Sequence, residues 1–536
     1  MLIRSLALAA IASTLLACSP SRPDAPPDAG GCSDGGGEPA PPGCPAGAPC
    51  LADVTISPPT LVPPFSGGIY DYYVRCEEGI NALTVSMTAS SGATVSVRKP
   101  TMTPSESGKS VSLSVSEGQA IVLVATLGSA SQEYWIRCLP SDFPQIQWTP
   151  RASGCSRAPG YYLFGTMNPP PGVGGYAMVL DTNGVPVWYR DNGAPVYDVE
   201  TLRTGDISFA TPWQIDQLGP PETGYLKAFG TTPDEHELRA LPNGDYLVLS
   251  SVTQTGVDLT GLTLPLPDGG VLAYGKNQSI VACDVLEIDS SGAVVWHWIA
   301  TDHFDPVEVM TYKASNLAVL PVEPFHCNSI DVDPATGNLL VSARHMDSVF
   351  YIERSSGKVL WKMGGVDSSK DNATFVPVTD PFFRQHDARL QPGWKETCAG
   401  GSGQISVFDD ETESGTNMPA RAAVYDVTVA GEGRGCGDAG ASAGVSMATL
   451  RWQYRNWQMY SSSTTGSFRI TADGSRIIGW GQSEPAGSTL AFTEVDERGN
   501  DLLDLVCPDG SSSYRAVKVP LGAFDLTALR SNAGLP

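Results

Sequence analysis

The sequence predicts an all-β protein, a six-bladed β-propeller preceded by a small β-sandwich. One observation is a two-part phrase that recurs from about residue 150 onward. A second is strict period-two alternation of apolar and polar residues between residues 51 and 145, as in Ala82-Leu-Thr-Val-Ser-Met-Thr-Ala and Ser110-Val-Ser-Leu-Ser-Val. Such runs separated by turns indicate half-buried strands of a sandwich. The third is composition: 57 glycines and 43 prolines in 536 residues exceed the usual share and imply many short strands joined by turns.

The amino terminus reads as an address label. Arg4 supplies a positive start, and Ser5 to Ala17 is apolar but too short to span a bilayer, which takes ~20 residues. It ends in Leu15-Leu16-Ala17-Cys18, which resembles a bacterial lipobox. The resemblance implies removal of residues 1–17, acylation of Cys18 and a lipid-anchored protein at the outer membrane, on its periplasmic face or at the cell surface. Residues 18–50 are rich in Pro, Gly, Asp and Ser and are expected to form a disordered tether.

Export permits disulfides. Cys76 and Cys138 close two similar phrases, Tyr-Tyr-Val-Arg-Cys and Tyr-Trp-Ile-Arg-Cys, and form the first candidate pair. Cys398 with Cys436 would close an insertion, and Cys155 with Cys507 would staple the ends of the propeller; Cys32, Cys44 and Cys50 fall in the tether. The chain has no Cys-x-x-Cys pair, which argues against a zinc ribbon. A net charge of −24 excludes the basic surface that nucleic acid requires.

The unit at 51–145 resembles the cadherin-like β-sandwich of bacterial surface proteins in its Leu51-Ala-Asp-Val-Thr-Ile-Ser, Leu61-Val-Pro-Pro-Phe-Ser and Tyr134-Trp-Ile-Arg elements. That resemblance implies scaffolding. Within 150–525 the first half of the phrase appears as Leu202-Arg-Thr-Gly-Asp, Leu241-Pro-Asn-Gly-Asp, Asp333-Pro-Ala-Thr-Gly-Asn and Thr471-Ala-Asp-Gly-Ser. The second half appears as Asp181-Thr-Asn-Gly-Val-Pro-Val-Trp, Asp289-Ser-Ser-Gly-Ala-Val-Val-Trp and Arg354-Ser-Ser-Gly-Lys-Val-Leu-Trp. Asn-Gly and Asp-Gly supply the positive φ of tight hairpins, and hairpin units repeating over tens of residues signal a propeller. Six units start near residues 160, 197, 236, 326, 386 and 467.

Three units open with histidine: His236, His326 and His386. Equivalent positions of neighbouring blades converge at one mouth of a propeller channel, and Arg344 ends the strand after His326, aimed at the same mouth. A histidine lining a wet channel can simply bind water, and His297, His303 and His345, without repeat partners, are expected to pack or face solvent. Three histidines in register beside an arginine carry more weight. Imidazoles alone suit a metal such as zinc, copper or iron. A fixed guanidinium near a dication is costly but suits a sulfate or phosphate group, and three imidazoles with an arginine can fill the roles sulfuryl transfer needs, a reading in which the site holds no metal and no cofactor.

Several phrases resemble the bacterial arylsulfate sulfotransferases: His236 with Leu-Pro-Asn-Gly, Phe325-His326-Cys-Asn328-Ser-Ile-Asp, Ser342-Ala-Arg344, Gly357-Lys-Val-Leu-Trp-Lys-Met-Gly364, Gln385-His386-Asp387 and Ser513-Tyr-Arg. The resemblance implies that His386 attacks sulfur, that His326 and Arg344 hold the sulfuryl oxygens, that His236 handles the phenolic proton and that Asn328 supports the pocket. It implies a phenolic sulfate donor, a phenol acceptor and no nucleotide donor. After His386 the chain carries an insertion, Trp394 to Gly403, and reads Phe408-Asp-Asp-Glu where the family tends to have Phe-Asp-Asn-Gly. A metal-dependent propeller enzyme and a non-catalytic module binding anionic or aromatic ligands are the other readings of the same residues.

Overall fold

The computed structural model describes residues 43–101, 110–151, 157–202, 205–218, 223–225, 233–318, 321–395, 401–416, 418–430, 445–484 and 489–534. The leader, Cys18 and most of the tether lie outside the described residues, as do Cys32, Cys155, Cys398 and Cys436. Among the described residues no helix is long and apolar enough to cross a membrane.

Two sheets build the first unit. Leu51–Ser57, Ile80–Ala89 and Ser110–Ser116 form one; Asp71–Arg75, Ala130–Leu139, Ala120–Leu127 and Thr94–Lys99 form the other. The alternation read in the sequence is a real in–out pattern: Val111, Leu113 and Val115 are buried while the serines between them face out. Cys76 and Cys138 are bonded, at the ends of the parallel pair Asp71–Arg75 and Ala130–Leu139. Closing a loop with a sequence separation of 62 stabilises the unit by on the order of 4 kcal/mol in the chain-entropy account. Residues 43–50, assigned from the sequence to the tether, are held in place: Cys44 bonds to Cys50, and Cys50 is fully buried where the Tyr134 hydroxyl, the Gly67 carbonyl and the Leu51 backbone meet. The chain is therefore ordered against the sandwich several residues before its first strand.

Six sheets follow. Their innermost strands are Tyr197–Thr201, Pro233–Ala240, Cys327–Val332, His386–Leu390, Ser467–Ile470 and Ala516–Val519, and each touches the next around a closed ring. The repeat starts read in the sequence match these strands except the first. In that blade Tyr161–Gly165 lies second, and the innermost place is taken by Ala516–Val519 from the far end of the chain. The sixth blade gains Gln147–Pro150 from the early chain, paired with Asp501–Cys507. Both ends are thus stitched into blades they do not start or finish. This corrects the expected Cys155–Cys507 staple: Cys507 is a buried free thiol, pushed up by burial. Closure rests on backbone pairing instead.

The recurring turn phrase has a local cause. In Asp181, Asp289 and Asp496 one carboxylate oxygen accepts from the backbone N–H groups two and four residues on, as at Asn183 and Val185. The glycine three residues on, such as Gly184 at φ 78°, supplies the left-handed turn. Of the three tryptophans of the second phrase, Trp188 and Trp361 are fully buried between blades, while Trp296 is half-buried.

A third disulfide, unforeseen in the sequence, joins Cys283 in the third strand of blade three to Cys327, the residue after His326. It clamps two blades at the mouth of the channel. Replacing both cysteines with serine is expected to cost about 2–4 kcal/mol, read as a lower urea midpoint, and to slow turnover because the strand that carries His326 loses its anchor. An unchanged midpoint would remove the disulfide from the account of site rigidity.

Candidate active site

The innermost strands of blades two to five each open with an irregularity in pairing to the second strand: between Tyr197 and Glu200, Pro233 and Leu238, Cys327 and Ser329, and His386 and Arg389. A bulge re-aims the side chains at a strand end. Here it turns the opening residues towards the axis. His326 (φ 50°), Arg384 (φ 57°) and Asp387 (φ 55°) hold left-handed conformations that cost non-glycine residues free energy, and all three bracket the histidine cluster.

The four residues singled out from the repeats do come together. The rings of His236 and His326 meet edge to face with centroids 5.0 Å apart. Arg344 starts a short helical turn directly after the second strand of blade four, and its Nε lies 3.8 Å from Asp410 Oδ2. The same oxygen lies 3.2 Å from His386 Nδ1, so Asp410 stands between the arginine and the histidine. Asn328 donates from Nδ2 to the Gln385 carbonyl at 2.7 Å, fixing the peptide that precedes His386. Gln385 Nε2 in turn donates to Ser342 Oγ, Ala343 O and Ser348 O.

Several members were not foreseen. His345, expected to be a bystander, stacks on His326 at 4.7 Å. Its Nε2 faces Arg344 Nη1 at 3.2 Å and its Nδ1 faces the Glu323 carbonyl at 2.6 Å. Arginine can only donate, so Nε2 accepts, and the proton sits on Nδ1, donated to the carbonyl. His345 is therefore a neutral prop for the guanidinium. Glu323 Oε1 lies 2.9 Å from His326 Nδ1, and Tyr514 packs edge-on against His236 at 5.6 Å. Asp234 grips His236 through its side chain and accepts from the His236 backbone N–H at 2.9 Å. The sequence signal for His345 is its place directly after Arg344, not a repeat partner.

The charges divide the histidines into two kinds. Burial alone would lower the His236 imidazole, but the Asp234 carboxylate outweighs it and raises the group to about 9, so it is a cation at neutral pH. Burial holds His386 well below the ordinary imidazole value, and Arg344, His326 and His236 push the same way. Burial likewise lowers His326, opposed by Glu323. His386 is thus neutral and carries an available lone pair beside a permanent cation.

Beneath this cluster the axis is filled with ion pairs. Asp387 accepts from Arg389, from Arg469 Nε at 2.7 Å and lies 3.3 Å from Arg515 Nε; Glu237 pairs with Arg389 at 2.6 Å and Arg515 at 3.2 Å. Arg515 also grips Asp198 and donates to the Asn328 carbonyl at 3.4 Å, which couples the plug to the pocket above. His297 and His303 lie elsewhere, paired with Asp284 and Asp371.

Glu323, His326 and His345 present ligand-type atoms within 4.8 Å of one another. Both His345 nitrogens are already engaged, one of them by a guanidinium, so the group is poorly suited to a cation.

Imidazoles and a fixed guanidinium at one mouth of a propeller channel form a site suited to an anionic group. The profile of the arylsulfotransferase (ASST) family matches residues 201–500, more than half of the chain, and the protein belongs to that family. Membership supports sulfotransferase activity on small molecules such as aryl sulfates and phenols. No curated protein matches the chain. Solved structures with similarity include the WD40 β-propeller domain of Doa1 (8% identity, 74% of this chain and 88% of that one, TM-score 0.29). Others are the β-propeller domain of Cps50 (Swd1) from Myceliophteria thermophila (8%, 70% and 97%, 0.32) and apo AztD from Citrobacter koseri (10%, 68% and 98%, 0.32).

Proposed function

We propose that the protein moves a sulfuryl group from a phenolic sulfate ester to a second phenol through a sulfohistidine at His386, without a nucleotide donor or a metal. The observation that carries this reading is that two buried nitrogens at one point of the mouth, His386 Nε2 and Arg344 Nε, have no hydrogen-bond partner among the described residues. Natural proteins rarely leave such groups unsatisfied without a reason, and a bound oxyanion with a reacting sulfur supplies one.

In the first half-reaction the His386 lone pair forms the N–S bond as the S–O bond to the aryl oxygen breaks. The bond pair leaves on that oxygen, which takes a proton from the His236 imidazolium. Arg344 and His326 hold the equatorial oxygens. In the second half the acceptor phenol returns its proton to His236 and attacks sulfur, restoring His386. The reading that Cys18 is acylated and tethers this enzyme at the outer membrane rests on residues 4–18 of the sequence alone.

The test is incubation of the full chain with a nitrophenyl sulfate, with and without a second phenol. Acceptor-dependent release of nitrophenol, and a mass gain of one sulfuryl group on the peptide containing His386 when the acceptor is withheld, are expected. Binding of the sulfate ester with no turnover would favour the non-catalytic module instead.

His236 gives a separate prediction. General acid catalysis contributes typically about 10²–10⁴-fold, and matters most for reluctant leaving groups. His236→Gln is expected to slow transfer from an unactivated phenyl sulfate by that order while sparing a dinitrophenyl sulfate. Equal losses on both donors would deny His236 the proton.

A further inference from the structure

Asp410 is the member of the site that neither the repeat nor the half-reactions above employ. Its side chain is fully buried, yet both carboxylate oxygens lack a hydrogen-bond partner among the described residues. Oδ2 sits 3.2 Å from His386 Nδ1 and 3.8 Å from Arg344 Nε. A buried carboxylate is retained only where something offsets its lost hydration. The two groups in reach are an arginine and the face of the histidine opposite Nε2.

The position follows from local structure. His386 opens the inner strand of blade five and pairs with Phe408, so the residues just past Phe408 rise beside it at the channel mouth. Asp409 turns the other way, into Arg421 at 2.8 Å and the Phe383 N–H at 2.9 Å. Asp410, next in the chain, is left on the His386 side.

We infer that Asp410 is a positioning residue: it holds the His386 imidazole with its proton on Nδ1 and its lone pair on Nε2, and it faces the positive charge the ring acquires when Nε2 bonds to sulfur. This rests on the reading of His386 as nucleophile. During attack the Nε2–S bond forms, the S–O bond breaks with its electron pair on the phenolic oxygen, and the Nδ1 proton stays in place opposite the carboxylate. The trio of Arg344, Asp410 and His386 is neutral overall before attack, which lets a buried carboxylate persist beside the ring.

The groups that face Asp410 are His386 on the inner strand of blade five, Arg344 after the second strand of blade four and Arg384 in the segment leading to His386. Within its own stretch stand Asp409, itself bound to Arg421, with Glu411 paired to Arg455 and Glu413 to Arg384. Burial pushes the Asp410 carboxyl well up, against Arg344, and Asp409 adds to the rise. Protonated, the acid would donate to Nδ1 and drive the ring proton to Nε2, blocking attack. The inference therefore requires an acid limb in the rate of sulfuryl labelling of His386, lying above the ordinary carboxylate range.

The test uses the full chain carrying ¹⁵N-labelled histidine, with His386 assigned through His386→Asn. In the wild-type protein above its acid limb, nitrogen shifts are expected to report a proton on Nδ1 and a bare Nε2, switching as the limb is crossed. Asp410→Asn, nearly isosteric, is expected to lose both the switch and the acid limb. Asp410→Leu is expected to lose the tautomer and to slow His386 labelling about 10²-fold or more, as wrong-tautomer changes do. A proton on Nε2 throughout in the wild-type protein, or an acid limb unchanged in Asp410→Asn, overturns the inference. Failure of the wild-type protein to label His386 at any pH overturns the proposed function instead, while the tautomer still decides what Asp410 does.

Discussion

Alanine at position 386 is expected to reduce sulfuryl transfer to background, a loss of at least about 10³-fold, and to erase the mass gain on that peptide. The size of the effect follows from what the ring supplies. It is neutral because burial and three neighbouring basic side chains hold its proton affinity down, and it lies beside the cation that draws the sulfate ester in. No other described group combines a bare nitrogen with that position: His345 is spent on Arg344 and the Glu323 carbonyl, and His236 is protonated. Acidification should mimic the substitution, as protonated Asp410 drives the ring proton onto Nε2 and removes the lone pair. Full activity in His386→Ala would deny the sulfohistidine, whatever the fold.

The register of the histidines was legible because a propeller repeats its strands, so equal positions in successive phrases become equal positions around the axis. The turns were legible because each Asp and its Gly act within a few residues. What lies between blades was not. The Cys283–Cys327 bond links strands whose adjacency depends on the ring being closed, and Cys507 stays reduced because two strands, not a disulfide, stitch the ends. The axial ion pairs did leave a trace. His236-Glu-Leu-Arg239 and His386-Asp-Ala-Arg389 share an acid one residue after the histidine and an arginine three after it. Only the histidines were read. The acids, Glu237 and Asp387, and Arg389 are the buried plug. Asp410 was visible as a departure from the family pattern, but its meaning needed the pairing of His386 with Phe408.

That plug carries the second large expectation. Arg515 follows Tyr514 into the innermost strand of blade one, is wholly buried, and answers Asp198, Glu237 and Asp387 from three other blades. Removing one partner of a buried pair strands the others without compensation and costs about 3–5 kcal/mol. With three carboxylates on one guanidinium, Arg515→Ala should fall at or beyond the upper end of that range, read as the urea midpoint of the full chain. Lysine should not rescue it, because a point charge cannot fork to three acids from different directions. The pH dependence has a definite sign. Burial alone would raise Asp387 and Glu237, but the arginines outweigh it and hold both below their ordinary values. Their contribution is fully present above the unfolded carboxylate range, near pH 4, and is lost progressively as pH falls below that range towards their depressed folded values. The wild-type protein should therefore lose stability on acidification, and Arg515→Ala should lose less, since its orphaned acids are relieved by protonation. Parallel pH profiles for the two proteins would show that the ring is held together by strand pairing alone, with the axial charges contributing nothing.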